Sequence, residues 1–448
     1  MTVASSPASQ ASPIPAPERP MRIAIFTETF LPRTDGIATR LSHTIPPLHQ
    51  MGHTLLVIAP KGGAGEFDGA RVYGVPAFAF PLYPEIKAAI PRPSVGKILT
   101  EFRPDIIHAV QPVLLGLSAF YYSKTHKVPL VVSHHTQLPK YLHYYGMGRL
   151  EGIAWNGIRG LYNRADMTLV TSRAMQELLE DRGVRRVELW PRGVDTQLFH
   201  PRRASEEMRA RLTQGHPEEK LLIYVGRLSA EKEIERCRPL LEALPGTRLA
   251  LVGDGPNRAR LEEVFAGTPT YFAGYLRGEE LASAYASADV FVMPSRTETL
   301  GLVLLEAMAA GCPPVAANAG GITDAVEDGV TGRLYDPANP SDAVAAVKAL
   351  LSDSACRRRL GAQARREAER WSWMGATRQL ERFYSSVVQR EMELPRQIAG
   401  HRARGASVKD VCEALQIPRT ALRRHSRTFG WHFFAPSRAP KENLRQRK

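Results

Sequence analysis

Apolar residues fall along the chain in two series of short runs. The first series is RIAIFT (22–27), TLLVIAP (54–60), DIIHAV (105–110), PLVVS (129–133), MTLVT (167–171) and VELW (187–190). The second is LLIYVG (221–226), RLALVG (248–253), TYFAG (270–274), DVFVMP (289–294) and PPVAA (313–317). The runs are rich in Ile, Val and Leu, do not alternate with polar positions, and end at Gly, Pro or polar residues. That is how strands buried on both faces of a parallel sheet read. Stretches with helical spacing lie between them, for example 174–182. Strand–helix alternation predicts βαβ units, and two series predict an α/β chain of two doubly wound domains. Their functional loops belong at the carboxyl ends of the strands, across a shared cleft.

The flanks of this pattern differ from it. Residues 1–20, MTVASSPASQASPIPAPERP, contain five prolines, with neither a basic start nor an apolar core. They read as a disordered leader, not a signal peptide. The charged stretch 201–220, with Pro201 and Pro217 as breakers, marks the boundary between a first domain (21–200) and a second (201–390). A helical stretch, 371–390, is expected to close the second domain. Residues 391–448 form a separate basic tail.

Composition narrows the class. The chain has 448 residues, 44% hydrophobic and 23% charged, which is globular and long enough for more than one core. No run approaches the ~18 apolar residues of a membrane-spanning helix. The four cysteines form no CxxC pair, which predicts a reducing, cytoplasmic setting and argues against zinc. The net charge of +14 is uneven: residues 21–200 carry 20 basic and 14 acidic side chains, 201–390 carry 25 of each, and 391–448 carry 13 and 5. Excess positive charge on the first half and the tail favours phosphate-bearing partners.

The segment 294–311, PSRTETLGLVLLEAMAAG, carries the most chemistry. It follows a strand, and Thr297 or Thr299 is placed to cap a helix through 302–310 that stops at Gly311. The positive end of that helix suits a diphosphate. Glu298 before the helix and Glu306 within it could accept from sugar and ribose hydroxyls; incidental acids on a surface helix are the alternative. A second anion site is 226–232, GRLSAEK, where Gly226 allows close approach and Arg227 and Lys232 supply a planar fork and a point charge. Glycine turns at 253–256, 274–275 and 320–321 line the same sheet edge.

These segments resemble the retaining glycosyltransferases of the GT-B fold, family 4. GRLSAEK, VGDGP, AGYLRGEELASAYASADVFVMPS, the Glu298–Glu306 pair and ANAGGITDAVEDGVTGRL follow the family's order and spacing. In the first half so do TETFLPRTDGIATRL, SHHTQLPKYLHYYG and WPRGVDTQLFHP, so the resemblance spans about 21–390. It implies that Arg227 and Lys232 hold the nucleotide diphosphate, with Gly36 beside its phosphates. Glu306 would bind the ribose. Glu298, with the backbone of Thr299, Leu300, Gly301 and Leu302, would bind the transferred sugar, and His135 would stand near the reacting centre. The donor would be GDP-mannose or a UDP-hexose, and transfer would retain configuration. No Asp-x-Asp motif occurs, so no metal or other cofactor is expected, although His134, His135 and His143 leave a metal cluster conceivable.

The wording of HHTQLPKYLHYYG and RGVDTQLF is most similar to sulfoquinovosyl-diacylglycerol synthases and GDP-mannose-dependent mannosyltransferases, which suggests a lipid or glycolipid acceptor. Segment 145–166 mixes Leu150, Ile153, Trp155, Ile158 and Leu161 with Arg149, Arg159 and Arg164. It reads either as a basic amphipathic helix for a membrane face or as a helix packed inward. The tail segment 406–427 resembles a helix-turn-helix, with Val408, Val411, Cys412 and Leu415 on one face and a basic second helix suited to nucleic-acid phosphates. A nucleic-acid-binding regulator built on a sugar-nucleotide sensor, and a sugar-nucleotide epimerase, are the competing functions.

Overall fold

The computed structural model describes residues 19–33, 35–80, 83–89, 92–136, 139, 148–299 and 301–425. Most of the expected leader, residues 137–147 apart from Pro139, Leu300, and the tail beyond His425 lie outside the described residues.

The first domain is built on strands β1 (Arg22–Thr27), β2 (Thr54–Pro60), β3 (Glu66–Phe67) and β4 (Ala70–Val75), then β7 (Ile106–Val110), β8 (Leu130–His134), β9 (Met167–Val170) and β10 (Val187–Leu189). A separate antiparallel hairpin pairs β5 (Ala77–Phe80) with β6 (Tyr83–Ala89). The sheet order is β10-β9-β8-β7-β1-β2-β4-β3, parallel except for β3 against β4. The second domain carries β11 (Lys220–Val225), β12 (Thr247–Val252), β13 (Thr270–Gly274), β14 (Val290–Met293), β15 (Pro314–Ala317) and β16 (Arg333–Tyr335), ordered β13-β12-β11-β14-β15-β16 and all parallel. Strand order reverses beside β1 and β11, the crevice where open α/β sheets bind ligands.

Neighbouring residues of one strand serve opposite cores. In β1, Ala24 and Phe26 pack with Val95, Leu99 and Ala119 on one face, and Ile23 and Ile25 with Leu41, Ile45 and Leu48 on the other. In β11, Leu221, Ile223 and Val225 face one cluster and Leu222 and Tyr224 another. Burial on both faces removes the polar alternation, so these strands are legible as continuous apolar runs. The strands the pattern misses lack that signature: β4 reads ARVYGV, half exposed, and β16 has three residues.

The helix expected to close the second domain spans Trp373–Ala403, running unbroken past residue 390. Its Leu380, Tyr384 and Val387 join Ile23, Ile25 and Leu41 in the first domain's core. Its apolar stripe was legible, but the sheet it covers was not, because a stripe does not name its partner. Beyond it, Val408–Ala414, opened by a Ser407–Asp410 capping box, and Arg419–Arg424 form the expected helix pair. Val411, Ile417, Ala421 and Leu422 bury against Leu394 and Ile398 of the long helix.

The second tail helix buries Ala421, Leu422 and Arg424 and leaves Arg419 and Arg423 exposed. The Arg424 guanidinium is buried between two carboxylates, 2.7 Å from Asp166 Oδ1 and 2.7 Å from Glu391 Oε1, and His425 Nε2 lies 3.0 Å from Glu391. Arg424 is thus engaged within the fold, unlike the outward basic face a phosphate-reading helix needs.

Candidate active site

The loops after β11 and β12 pack backbone on backbone. Gly253, at φ +129°, leaves no room for a side chain: a Cβ there would lie 2.0 Å from the carbonyl oxygen of Gly226. This close fit holds the 226–232 turn at the sheet edge. Lys232 ends a short 3-10 turn, Ala230–Lys232, and its Nζ lies 2.7 Å from Glu298 Oε2. Burial alone would pull the ammonium down. The Glu298 carboxylate, with Tyr224 and Glu231, outweighs burial and raises the pKa, so Lys232 stays charged. The Arg227 carbonyl, in the same turn, accepts from the Tyr224 hydroxyl at 3.1 Å.

Glu298 also reaches the helix. Its Oε1 accepts from the Gly301 N–H at 3.0 Å. The helix runs Leu302–Ala309 and its cap is Gly301, in the left-handed region at φ +59°. The expectation that Thr297 or Thr299 caps it is corrected. The Thr297 hydroxyl donates to the Glu231 carbonyl at 3.2 Å, and the Thr299 hydroxyl donates to the carbonyl of His135. Both threonines face neighbouring loops, where buried carbonyls need donors. Leu302 is the first helical residue and is buried; Leu300 lies outside the described residues.

Glu306 sits deeper on this helix. Tyr285 donates to its Oε2 at 3.0 Å, and burial pushes its carboxyl up to about 7, with the Tyr285 hydrogen bond opposing the shift. The surface-helix reading of this acid does not hold. The two acids therefore differ: one is ion-paired, and the other is raised to about 7 with no ion pair among the described residues.

The first domain supplies His135. The imidazole is buried, its Nε2 2.8 Å from Ser133 Oγ and its ring 5.7 Å from that of Trp190. Its backbone N–H donates to Gln111 Oε1 at 2.6 Å. Burial holds the ring well below the usual histidine range, and the neighbouring Arg40, His108 and His134 add to the effect. His134 turns away, its Nδ1 3.0 Å from the Tyr162 hydroxyl. His143 lies outside the described residues. Among the described residues, no group of three or more His, Cys, Asp or Glu is placed to hold a metal ion.

The two domains meet at Thr299. Its hydroxyl reaches the His135 carbonyl, and its own carbonyl accepts from the Thr171 hydroxyl at 2.8 Å. Gly36 opens the Gly36–Gln50 helix, where Asp35 accepts from the Ile37 and Ala38 N–H groups. Lys232, Glu298, Thr299, Gly301 and His135 are thus brought into one connected arrangement.

Several residues of the site carry no sequence signal that was read. Arg192, fully buried, donates to the Gly321 carbonyl at 3.0 Å and lies 3.7 Å from Asp324. Arg40 stacks on Trp190 with its guanidinium carbon 3.5 Å from the ring centroid. Gln111 sits at φ +46°, a sparsely populated conformation at the end of β7. Its place directly after a strand at the switch point was the signal available for it.

Similarity to known proteins runs along the whole of this arrangement. Residues 34–198 match the family model "Glycosyltransferase Family 4", and 207–367 match "Glycosyl transferases group 1". The chain is 41% identical to the sulfoquinovosyl transferase SQD2 of Arabidopsis thaliana, over 80% of this chain and 72% of that protein. It is 38% identical to a GDP-mannose-dependent alpha-mannosyltransferase of Mycolicibacterium smegmatis, over 83% of this chain and 98% of that one. In fold it resembles Anabaena HepE, solved in complex with UDP and glucose, at a TM-score of 0.66 and 21% identity over 82% of this chain and all of HepE.

Proposed function

The chain belongs to the GT-B glycosyltransferases that join a family 4 domain to a group 1 domain and use a nucleotide sugar, and from this premise we propose that it transfers a hexosyl group from GDP-mannose or a UDP-hexose to a lipid or glycolipid hydroxyl, with retention of configuration and without a metal. The observation that carries this reading is the Lys232–Glu298–Gly301 contact set. A departing nucleoside diphosphate needs positive charge already in place where negative charge develops. Lys232 supplies it in charged form, Arg227 lies in the same turn, and the N-terminus of the Leu302–Ala309 helix adds its dipole.

In this reading Glu298 orients the transferred sugar together with the Thr299–Leu302 backbone. Glu306 accepts from the ribose diol. His135 stands at the sugar, held by Gln111 and Ser133. The acceptor hydroxyl attacks from the face the diphosphate leaves, assisted by that phosphate.

A lipid acceptor is supported by a relative named as an alpha-monoglucosyldiacylglycerol synthase, from Streptococcus pneumoniae and 26% identical over 70% of this chain, and by one surface. On Glu151–Tyr162 and the turn before it, Trp155 is buried, whereas Leu150 and Ile153 are 47% and 69% exposed, beside exposed Arg149. The segment therefore packs inward and also shows an apolar and basic edge, suited to the boundary of a membrane. Among the described residues no helix is long and apolar enough to cross one.

The reading is tested by calorimetric titration of UDP, GDP and ADP at fixed salt, followed by transfer assays with the sugar of whichever nucleotide binds. Selective GDP binding supports mannosyl transfer and selective UDP binding a glucosyl-type or sulfoquinovosyl donor. Binding of none, or full transfer by Glu306→Ala, would overturn it.

A further inference from the structure

Behind His135 lies a buried chain of polar groups that starts on another element. Tyr384, on the long Trp373–Ala403 helix, places its hydroxyl 2.6 Å from His108 Nδ1. His108 Nε2 is 2.8 Å from Ser133 Oγ, and Ser133 Oγ is 2.8 Å from His135 Nε2. All four residues are essentially inaccessible to solvent. Among the described residues the remaining ring nitrogen, His135 Nδ1, has no hydrogen-bond partner.

The direction of this chain follows from counting protons. Burial, reinforced by the Arg40 guanidinium, holds both imidazoles neutral, His108 at about 3 and His135 well below the usual range. Each ring therefore carries one N–H and one acceptor nitrogen. A buried phenol must donate its proton, and His108 Nδ1 is the acceptor beside it. That forces the proton of His108 onto Nε2, which donates to Ser133 Oγ. The Ser133 hydroxyl then donates to His135 Nε2, and the proton of His135 sits on Nδ1. In the reverse order the phenol proton has no acceptor. If both rings donate to Ser133, the serine proton has none. Only the first order gives each of the three contacts one donor and one acceptor, and it leaves the terminal proton on His135 Nδ1 as the one without a partner among the described residues.

We propose that Tyr384 is a positioning residue which, through His108 and Ser133, fixes His135 in the tautomer bearing its proton on Nδ1 and so presents an N–H donor, not a base, to the bound sugar. This rests on the reading of His135 as a sugar-side residue given above. It also gives the long helix a part in the site: its return to the first domain brings the phenol that sets the proton order.

The test is the protonation of His135 read directly, by ¹⁵N chemical shifts in protein labelled at histidine nitrogen. The wild-type chain should show His135 protonated on Nδ1 and bare on Nε2. Tyr384→Phe keeps the ring and removes the proton that sets the order, so the His135 signal should shift towards the other tautomer. The same variant should lose about tenfold in kcat, the worth of one hydrogen bond to a reacting group, with donor KM within about twofold. Ser133→Ala should do the same, and Ser133→Thr, which keeps the hydroxyl, should restore kcat. A wild-type His135 protonated on Nε2, or a Tyr384→Phe variant with unchanged spectrum and kcat, would overturn the proposal. Failure of the wild-type chain to bind any nucleoside diphosphate would remove the functional reading instead, and the spectra would still decide the tautomer.

Discussion

Two regions of the molecule treat interior charge in opposite ways. In the second domain cations meet carboxylates: Lys232 lies 2.7 Å from Glu298, and Arg209 and Arg357 lie 2.9 and 3.2 Å from Asp289. At the centre of the first domain, Arg40 stacks on Trp190 and donates to the carbonyls of Trp190 and Pro191, while His108, His134 and His135 are kept neutral by burial. The difference teaches what each region is built to handle. An ion pair keeps its ammonium charged in the absence of ligand and can redirect it to an incoming diphosphate. Neutral imidazoles in a dry network cannot answer a full charge, but they place single hydrogen-bond donors with definite direction.

The sharpest way to break the comparison is Lys232→Ala. It removes the cation proposed to meet the diphosphate and takes the ion-pair partner from the half-buried Glu298 carboxylate, so transfer should fall on the order of a thousandfold or more in steady-state assays. Circular dichroism should show the fold retained.

Next in size is Arg424→Met, which applies the paired-charge test at the edge of the first domain. Asp166 and Glu391 would be left buried without their shared cation, at a cost of about 3–5 kcal/mol in urea unfolding. A change below about 1 kcal/mol would mean that the tail is not held by this cluster.

Glu306 gives a pH signature. Its folded carboxyl stands at about 7 against an ordinary value of 4.5. The unfolded chain therefore ionises first, and this group's contribution to stability is lost as pH rises from about 4.5 to about 7. Glu306→Gln should flatten the decline and gain about 2 kcal/mol above pH 7.5, read from unfolding midpoints across pH. In the wild-type chain, nucleotide affinity should rise through the same window as the carboxylate forms and accepts from the ribose.

The smallest effect is expected from Arg40→Met. Losing a cation that has no carboxylate partner among the described residues relieves a desolvation cost while leaving two carbonyls without their donor. These terms oppose, so the net change should stay within about 1 kcal/mol. The His108 and His135 pKa values should rise, which a histidine titration by NMR would check.

Much of the candidate site was legible from residues alone because its parts are local. GRLSAEK and the Glu298–Glu306 segment are each short, follow a strand directly, and combine residue types that suit one ligand. Thr297 and Thr299 show the limit of that legibility. Their chemistry at a helix start predicts capping, yet each hydroxyl is claimed by a carbonyl that the fold brings from elsewhere, Glu231 and His135. The tail shows the same limit. Its two helices could be read from apolar spacing and the Ile417-Pro418 turn, but Arg424 looks like a phosphate ligand until Asp166, 258 positions away, stands beside it.

The sequence by itself determined the doubly buried strands of the two sheets, the helices between them, the carboxyl-edge loops that carry Arg227, Lys232 and Glu298, and the helix that carries Glu306. Those features follow from hydrophobic period, strand ends and glycine placement, which act over a few residues. Tertiary structure alone decided which sheet the Trp373–Ala403 helix covers, which of two acids is paired, and that Tyr384 meets His108 across 276 positions. The physical reason is that burial and charge pairing depend on what surrounds a side chain in space. A local pattern says that a face will be buried; only the packed fold says against what.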